Sequence, residues 1–195
     1  FTDKRMLLLV LICIYSGASQ SFFFGIVTKQ ITLINQSLLG YVMAVFGTAD
    51  AIGSFVFGKV IDLFGRKPIL LLSALFILAG SLSFPIMDMV TPRSSAQFFF
   101  SAVLFGLSDA GFFTVLYATF GNLYAKRAET GFGAFRLIQS TTTAVYYFLG
   151  PYLSFYVSIG LLDGFLCLGV LSYLMLDFFV ADVDSKEEAD ASVNN

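Results

Sequence analysis

Three acidic residues stand alone in apolar stretches of the sequence. Asp50, Asp109 and Asp163 each have only apolar or small uncharged neighbours for several positions on both sides. An isolated carboxyl group in such surroundings can carry a proton, pair with a cation, or accept a hydrogen bond from another helix. The functional hypothesis is substrate or proton coupling, in the order Asp109, Asp50, Asp163. The structural alternative is a buried, protonated aspartate bonded between helices.

The groups that most enzymes use are missing from this sequence. It has no His, and its two cysteines, Cys13 and Cys167, lie in apolar runs where a disulfide framework or metal cluster is not expected. No glycine loop follows a strand pattern, and no nucleophile has a base at a recognisable spacing. We therefore predict no enzymatic activity, cofactor or metal, and no nucleic-acid partner.

The aspartates must be positioned by membrane-spanning helices. The 195 residues are 57% hydrophobic and 12% charged, with a mean hydropathy of +0.85, whereas soluble domains carry about 25% charged residues. Apolar runs of this length, at about 1.5 Å per residue, cross a hydrocarbon layer of about 30 Å as helices. The sequence therefore predicts an all-α membrane protein with six transmembrane helices, at about 6–27, 38–58, 69–90, 98–120, 132–154 and 157–180.

The basic residues predict the orientation of these helices. Only Lys29 and Arg93 fall on one side. The positive-inside rule then places the other side, and with it both termini, in the cytoplasm of a plasma membrane or endomembrane protein. That side holds Lys4, Arg5, Lys59, Arg66, Lys67, Lys126, Arg127 and Lys186, with Arg136 just inside the fifth span.

The turn between the second and third spans carries a recognisable motif, "GKVIDLFGRK". Its residues Gly58, Asp62, Gly65, Arg66 and Lys67 resemble the signature loop of major facilitator transporters. In that superfamily the loop acts as a latch that holds one transporter state. Leu63 stands where a basic residue is usual, so part of the charge network of the loop is expected to be absent.

A second stretch resembles one branch of that superfamily, the Unc-ninety-three-like family. It contains "GLSD" at 106–109 and "FRLIQS" at 135–140, separated by a predicted cytoplasmic loop. The resemblance implies a twelve-helix fold built of two six-helix halves, of which this chain is the C-terminal one. We therefore expect an N-terminal six-helix half as a partner, and the start at Phe1 agrees with a fragment or an incomplete gene model.

Polar residues near Asp109 are candidates for the wall of a cavity. They are Gln139, Thr114 and Tyr117. Gln139 begins the run "QSTTT", and we favour a polar packing surface for that run, with Gln139 as its best cavity candidate. Where the family commonly has Asn and Gln after the aspartate, this chain has Phe113 and Val115, which makes a polar conduit less favourable.

Small residues form a stripe along the second predicted span. Gly40, Ala44, Gly47, Ala51, Ser54 and Gly58 recur at alternating spacings of four and three. Such a stripe lets another helix approach closely. We expect packing inside the transporter-like fold, and the alternative is a docking surface for a separate protein.

Two features lie outside the spans. Asn35-Gln36-Ser37 is an N-glycosylation sequon on the predicted outer side, close to the second span. Residues 181–195 are rich in Asp and Glu, and we expect a disordered acidic cytoplasmic tail after the bundle of residues 1–180.

Two functions fit these observations. The resemblance implies an accessory or regulatory membrane protein for a channel or receptor. The alternative is a secondary carrier of a small solute, possibly coupled to protons, because its fold and central aspartates suit alternating access. We favour the regulatory function, with the lipid bilayer and another membrane protein as partners.

Overall fold

A computed structural model describes residues 4–90 and 95–193, and within these ranges all regular structure is helical. Short non-α segments join some helices: a π-helix over Phe22–Val27 and 3-10 turns over Ala125–Arg127 and Gly150–Tyr152. The seven α-helices are α1 (Lys4–Ser21), α2 (Thr28–Ile34), α3 (Leu38–Phe64), α4 (Arg66–Val90), α5 (Ser95–Leu123), α6 (Ala128–Leu149) and α7 (Phe155–Val193).

Five helical segments of the described ranges are long and apolar enough to cross a membrane. They are Met6–Ile34, Leu38–Phe64, Arg66–Met89, Ser95–Leu123 and Phe155–Leu176. Helix α6, which corresponds to the predicted span 132–154, is not among them. Its charged and polar residues, including Arg136 and the run from Gln139 to Thr143, lower its hydropathy. The multi-pass helical architecture is confirmed, and the sixth span stays a prediction.

The first predicted span is longer in the structure than in the sequence analysis. Helix α1, the π-helix and α2 form one continuous segment that ends at Ile34 rather than near residue 27. The Thr28 hydroxyl donates to the Phe24 carbonyl at 2.7 Å, which helps to carry the helix past the wide π turn. Lys29 therefore lies on a helix and not in a loop.

The helices pack as two groups. In one, α5 lies against both α3 and α4; in the other, α1 lies against both α6 and α7. Serines fasten the first group: the Ser108 hydroxyl donates to the Ser73 carbonyl at 2.9 Å, and the hydroxyls of Ser83 and Ser101 are 3.2 Å apart. Such bonds satisfy polar groups where lipid cannot.

Aromatic rings join the two groups. The Phe22 ring stacks on Phe105 and on Phe155, with centroids 5.8 and 6.0 Å away. The Phe23 ring lies between Phe46 and Phe105, at 4.4 and 5.3 Å. The π-helix therefore carries the rings that contact α3, α5 and α7.

Helix α7 extends from Phe155 to Val193, beyond the end of the last candidate span at Leu176. The Lys, Glu and Ala residues of "SKEEADA" have high helix propensity. Disorder of the acidic tail, residues 181–195, stays a prediction. Residues 194–195 of that tail and Arg93 of the predicted outer side lie outside the described residues.

Candidate functional site

A chain of hydrogen bonds crosses three helices at the level of Gln139. The Gln139 amide on α6 donates to the Ser16 hydroxyl on α1 at 3.0 Å. Its carbonyl oxygen accepts from Arg136 at 2.8 Å, and the same guanidinium donates to the Tyr117 hydroxyl on α5 at 2.5 Å. We call these four residues the polar chain. Gln139 is only 2% exposed, so it lies between helices and not on an open wall.

Aromatic rings surround the Arg136 end of the polar chain. The guanidinium carbon lies 5.7 Å from the Phe113 ring, 5.8 Å from Tyr117 and 5.5 Å from Phe135. These distances are within the range of cation–π attraction. Among the described residues no carboxylate pairs with Arg136. Its hydroxyl, amide and ring partners hold the cation in place without neutralising it.

Asp109 and Asp50 approach each other where α5 crosses α3. A β-carbon at Gly106 would lie 2.5 Å from the Phe46 carbonyl oxygen and 3.1 Å from the Asp50 nitrogen, so the two backbones nearly touch. Asp109 is half-buried and makes no hydrogen bond or ion pair with any described residue. Asp50 is also half-buried, and its charge lies near enough to act on Asp109.

Asp163 is in a different situation. Its carboxylate on α7 accepts a hydrogen bond of 2.9 Å from the Ser81 hydroxyl on α4. This bond lies at the contact of the two helices. Asp163 therefore matches the structural alternative for an intramembrane acid, a group bonded between helices, while Asp109 and Asp50 do not.

The run from Gln139 to Thr143 packs against α1. A β-carbon at Gly17 would lie 2.5 Å from the Gln139 carbonyl oxygen, so α1 and α6 cross closely there. The Thr143 hydroxyl donates to the Gly17 carbonyl at 3.2 Å, and the Thr143 carbonyl accepts from Ser21 at 2.9 Å. Thr114, a predicted cavity residue, instead donates to the Ala110 carbonyl of its own helix at 2.6 Å.

The signature loop is a turn of one residue. Gly65 has φ +82°, a conformation that favours glycine, and it ends α3 directly before α4 begins at Arg66. Arg66 donates to the Thr119 hydroxyl on α5 at 3.2 Å, and this hydroxyl lies 2.6 Å from the Tyr173 hydroxyl on α7. The loop is therefore fastened to the bundle through Arg66.

The rest of the signature loop faces outward. Asp62 and Leu63 are exposed, and Asp62 has no partner among the described residues. A β-carbon at Gly58 would meet no atom within 4 Å, so this glycine is not needed for packing inside the described bundle. The negative charge of Asp62 is available to a group outside it.

The small-residue stripe of α3 does not pack against the described helices of this chain. Gly40, Ala44, Gly47, Ala51 and Ser54 are exposed, and a β-carbon at either of the first two glycines would meet nothing within 4 Å. The close contact with α5 is made instead by Gly53, where a β-carbon would lie 2.8 Å from that of Ala110. The spacing of small residues along α3 therefore leaves out Gly53, the small residue that touches α5.

The predicted glycosylation site lies in an exposed turn between α2 and α3. The Asn35 side chain accepts a hydrogen bond of 3.0 Å from the Ser37 backbone amide. This bond forms an Asx turn, a common way to start a new helix. Glycan occupancy stays a prediction.

These features define a class of protein: a multi-pass α-helical membrane protein with bonded polar groups inside its bundle. A family model described as "Ion channel regulatory protein UNC-93" matches residues 1–174. The chain belongs to the UNC-93 family, which confirms the resemblance found in the sequence.

Relatives support the same assignment. "Protein unc-93 homolog A" of Bos taurus is 32% identical over 190 residues, which cover 96% of this chain and 40% of the relative. "Putative potassium channel regulatory protein unc-93" of Caenorhabditis elegans is 28% identical over 181 residues, covering 90% of this chain and 25% of the relative. "UNC93-like protein MFSD11" of Xenopus tropicalis is 24% identical over 198 residues, covering 90% and 44%.

The chain spans about two fifths of the length of the Bos taurus relative. No solved structure matches it.

Proposed function

We propose that this chain forms part of an accessory membrane protein that regulates an ion channel. The printed names of the family and of the Caenorhabditis elegans relative describe such a role for those proteins. The observation that carries the proposal is the polar chain, whose Gln139 and Ser16 side chains are buried between α6 and α1 while Arg136 and Tyr117 are exposed. These polar side chains, which a carrier could use to bind a solute, bond to one another here and join three helices.

The neighbouring side chains support the same interpretation. Phe113 and Phe135 fill the space beside Arg136 with rings. Asp163 is bonded to Ser81, and Thr114 to its own backbone. A solute path along α5 would have to break several of these contacts at a cost of about 1 kcal/mol or more for each hydrogen bond. A regulatory protein does not need such a path.

The architecture that we propose for the whole protein has two six-helix halves. In this half, α6 also crosses the membrane and completes the set of six spans, because α1 and α5 provide partners for its polar side chains. Both termini of this half are cytoplasmic, in a plasma membrane or endomembrane. The described bundle is then the C-terminal half of a major facilitator fold.

In this architecture, a helix of the N-terminal half packs against the exposed small-residue stripe of α3. Helices that face lipid carry large apolar side chains, and another face of α3 has exposed ones at Ile52 and Val56. Glycine and alanine gain little from lipid but permit close helix contact. The relatives' length beyond the matched region is sufficient to supply such a helix.

Co-expression with potassium channels tests the regulatory function. The full-length protein should co-purify with at least one channel and change its current without changing single-channel selectivity. The matched variant is Asp109→Asn, which a regulatory protein should tolerate. If purified protein in vesicles shows saturable, proton-dependent uptake that Asp109→Asn abolishes, and no channel current changes, the carrier alternative is correct.

A further inference from the structure

A cavity of about 260 Å³ lies between the outer ends of α1, α6 and α7. Its lining combines polar groups with apolar side chains. Lys29 belongs to the lining, while Ile26, Leu153 and Phe155 supply apolar surface. The polar chain, the aspartates and the signature loop do not contribute to it. This cavity is therefore separate from the candidate site described above.

The π-helix shapes one wall of the cavity. Its wide turn places Gly25 against Tyr147, where a β-carbon would lie 2.6 Å from the ring, so only glycine fits without moving that ring. Gly150 lines the opposite wall with helical backbone angles, φ −49° and ψ −44°. The absence of a side chain at Gly25 lets the Tyr147 ring pack against the π-helix. A β-carbon at Gly150 would meet only Ile26, at 3.8 Å, so there is free space beside Gly150.

Two hydroxyls of the lining, those of Ser21 and Tyr146, are fixed by bonds to the bundle. The Ser21 hydroxyl donates to the Thr143 carbonyl at 2.9 Å, and the Tyr146 hydroxyl donates to the Ser158 carbonyl at 2.8 Å. Each oxygen keeps a lone pair, but its proton is committed. Lys29 is different, because it is exposed and has no partner among the described residues.

The charge of Lys29 and the apolar side chains beside it indicate which kind of ligand the cavity could bind. A lysine ammonium without a carboxylate attracts an anion, and phosphate is a common one. The rest of the cavity is largely apolar, which favours an anion with a hydrocarbon body over a fully hydrated ion. Lys29 lies near the end of the helical segment Met6–Ile34, and lysine side chains near the ends of membrane spans extend toward the lipid headgroups.

We propose that this cavity binds the phosphate ester of a membrane phospholipid. Lys29 contacts the phosphate, and the apolar walls at Ile26 and Leu153 contact the glycerol backbone and the first part of an acyl chain. Free inorganic phosphate could make the same contact with Lys29, but it has no apolar part to contact Ile26 and Leu153. A bound lipid would hold the outer ends of α1, α6 and α7 together.

Native mass spectrometry of the full-length protein tests this site. After delipidation, dioleoylphosphatidylcholine is added, with dioleoylglycerol as the probe that lacks phosphate. We expect the phospholipid to bind about ten-fold more tightly than dioleoylglycerol, because a charge-assisted contact is lost with the phosphate. Lys29→Gln should abolish that difference, and Lys29→Arg should retain it.

Two further variants separate this cavity from general lipid binding. Gly150→Leu places a side chain in the cavity and should weaken phospholipid binding with Lys29 intact. Lys59→Gln removes an exposed lysine near the signature loop and should have no effect. Equal binding of both lipids, or unchanged phospholipid binding by Lys29→Gln, would overturn the proposal. Displacement of the phospholipid by millimolar inorganic phosphate would also overturn it and assign the site to free phosphate.

Discussion

Two faces of α3 both contain small residues, but only one of these faces packs against another described helix. On one face, Gly53 of α3 lies against Ala110 of α5. Near this contact, Gly106 of α5 lies against the backbone of α3. On the other face, Gly40 and Gly47 meet no atom of the described bundle. A stripe of small residues therefore indicates where another helix can approach closely, but it does not identify that helix.

The polar residues divide in the same way. On the side of α1 and α6, Ser16, Gln139 and Arg136 are bonded to one another. On the side of α3, Asp50 and Asp109 are left with no ion pair among the described residues. The closed side holds the bundle together. The open side holds the groups whose partners, in our proposal, belong to another part of the protein.

The largest expected effect comes from filling the closed face of α3. Gly106→Leu would place a side chain against the Phe46 carbonyl, which is backbone and cannot move aside. We expect a loss of about 3 kcal/mol or more in the free energy of unfolding, and poor membrane expression. Thermal unfolding of purified protein measures it. Gly47→Leu is the control, because its new side chain would meet no atom of the described bundle. If both variants lost the same free energy of unfolding in this chain alone, the close packing of α5 on α3 at Gly106 would be contradicted.

A smaller loss is expected from opening the polar chain. Gln139→Ala leaves the buried Ser16 hydroxyl without its donor and removes one acceptor from Arg136. The unfolding free energy should fall by about 2 kcal/mol. Ser140→Ala changes an exposed neighbour on the same helix and should be neutral. Thermal unfolding in the same detergent compares the two, and identical midpoints would mean that the bonds do not stabilise the bundle.

The aspartates should respond unequally to removal. Asp163→Ala deletes the interhelical acceptor of the Ser81 hydroxyl and leaves it only the Leu78 carbonyl of its own helix, at 3.2 Å, so we expect a loss of about 1 kcal/mol. Asp109→Ala removes an unpaired carboxylate and should leave the stability of this chain unchanged or raise it. Denaturation curves of the two variants measure the loss in the free energy of unfolding for each. A greater loss for Asp109→Ala would show that Asp109 has a partner within the chain.

The smallest effect concerns the turn that precedes α3. If the outer side is assigned correctly, Asn35 carries a glycan, and Asn35→Gln and Ser37→Ala both remove it without changing the unfolding midpoint. Treatment with an N-glycosidase and gel electrophoresis measure the change. A glycan that persists in both variants would show that the modification is at another residue. The glycan would then give no evidence that the N-terminal end of α3 lies on the outer side of the membrane.

Sequence patterns predicted the elements well and their contacts poorly. Hydropathy found the helices, and the glycine before Arg66 marked the one-residue turn, because both signals are local. The π-helix that extends the first span to Ile34 has no such signal. The roles of Gly17 and Gly106 depend on which helix lies opposite, which spacing along one helix does not contain. Arg136 was interpreted as a topological charge, and its bonds to Tyr117 and Gln139 required the fold.

The most direct test of the account compares two adjacent positions on α3 in the full-length protein. Nitroxide labels at Ala51→Cys, on the small-residue stripe, and at Ile52→Cys, on the apolar face, report contact with lipid through their collision rate with oxygen. We predict that the label at position 51 is much less accessible to oxygen than the label at position 52, because a helix covers the stripe. Equal, lipid-like accessibility at both positions would contradict the account.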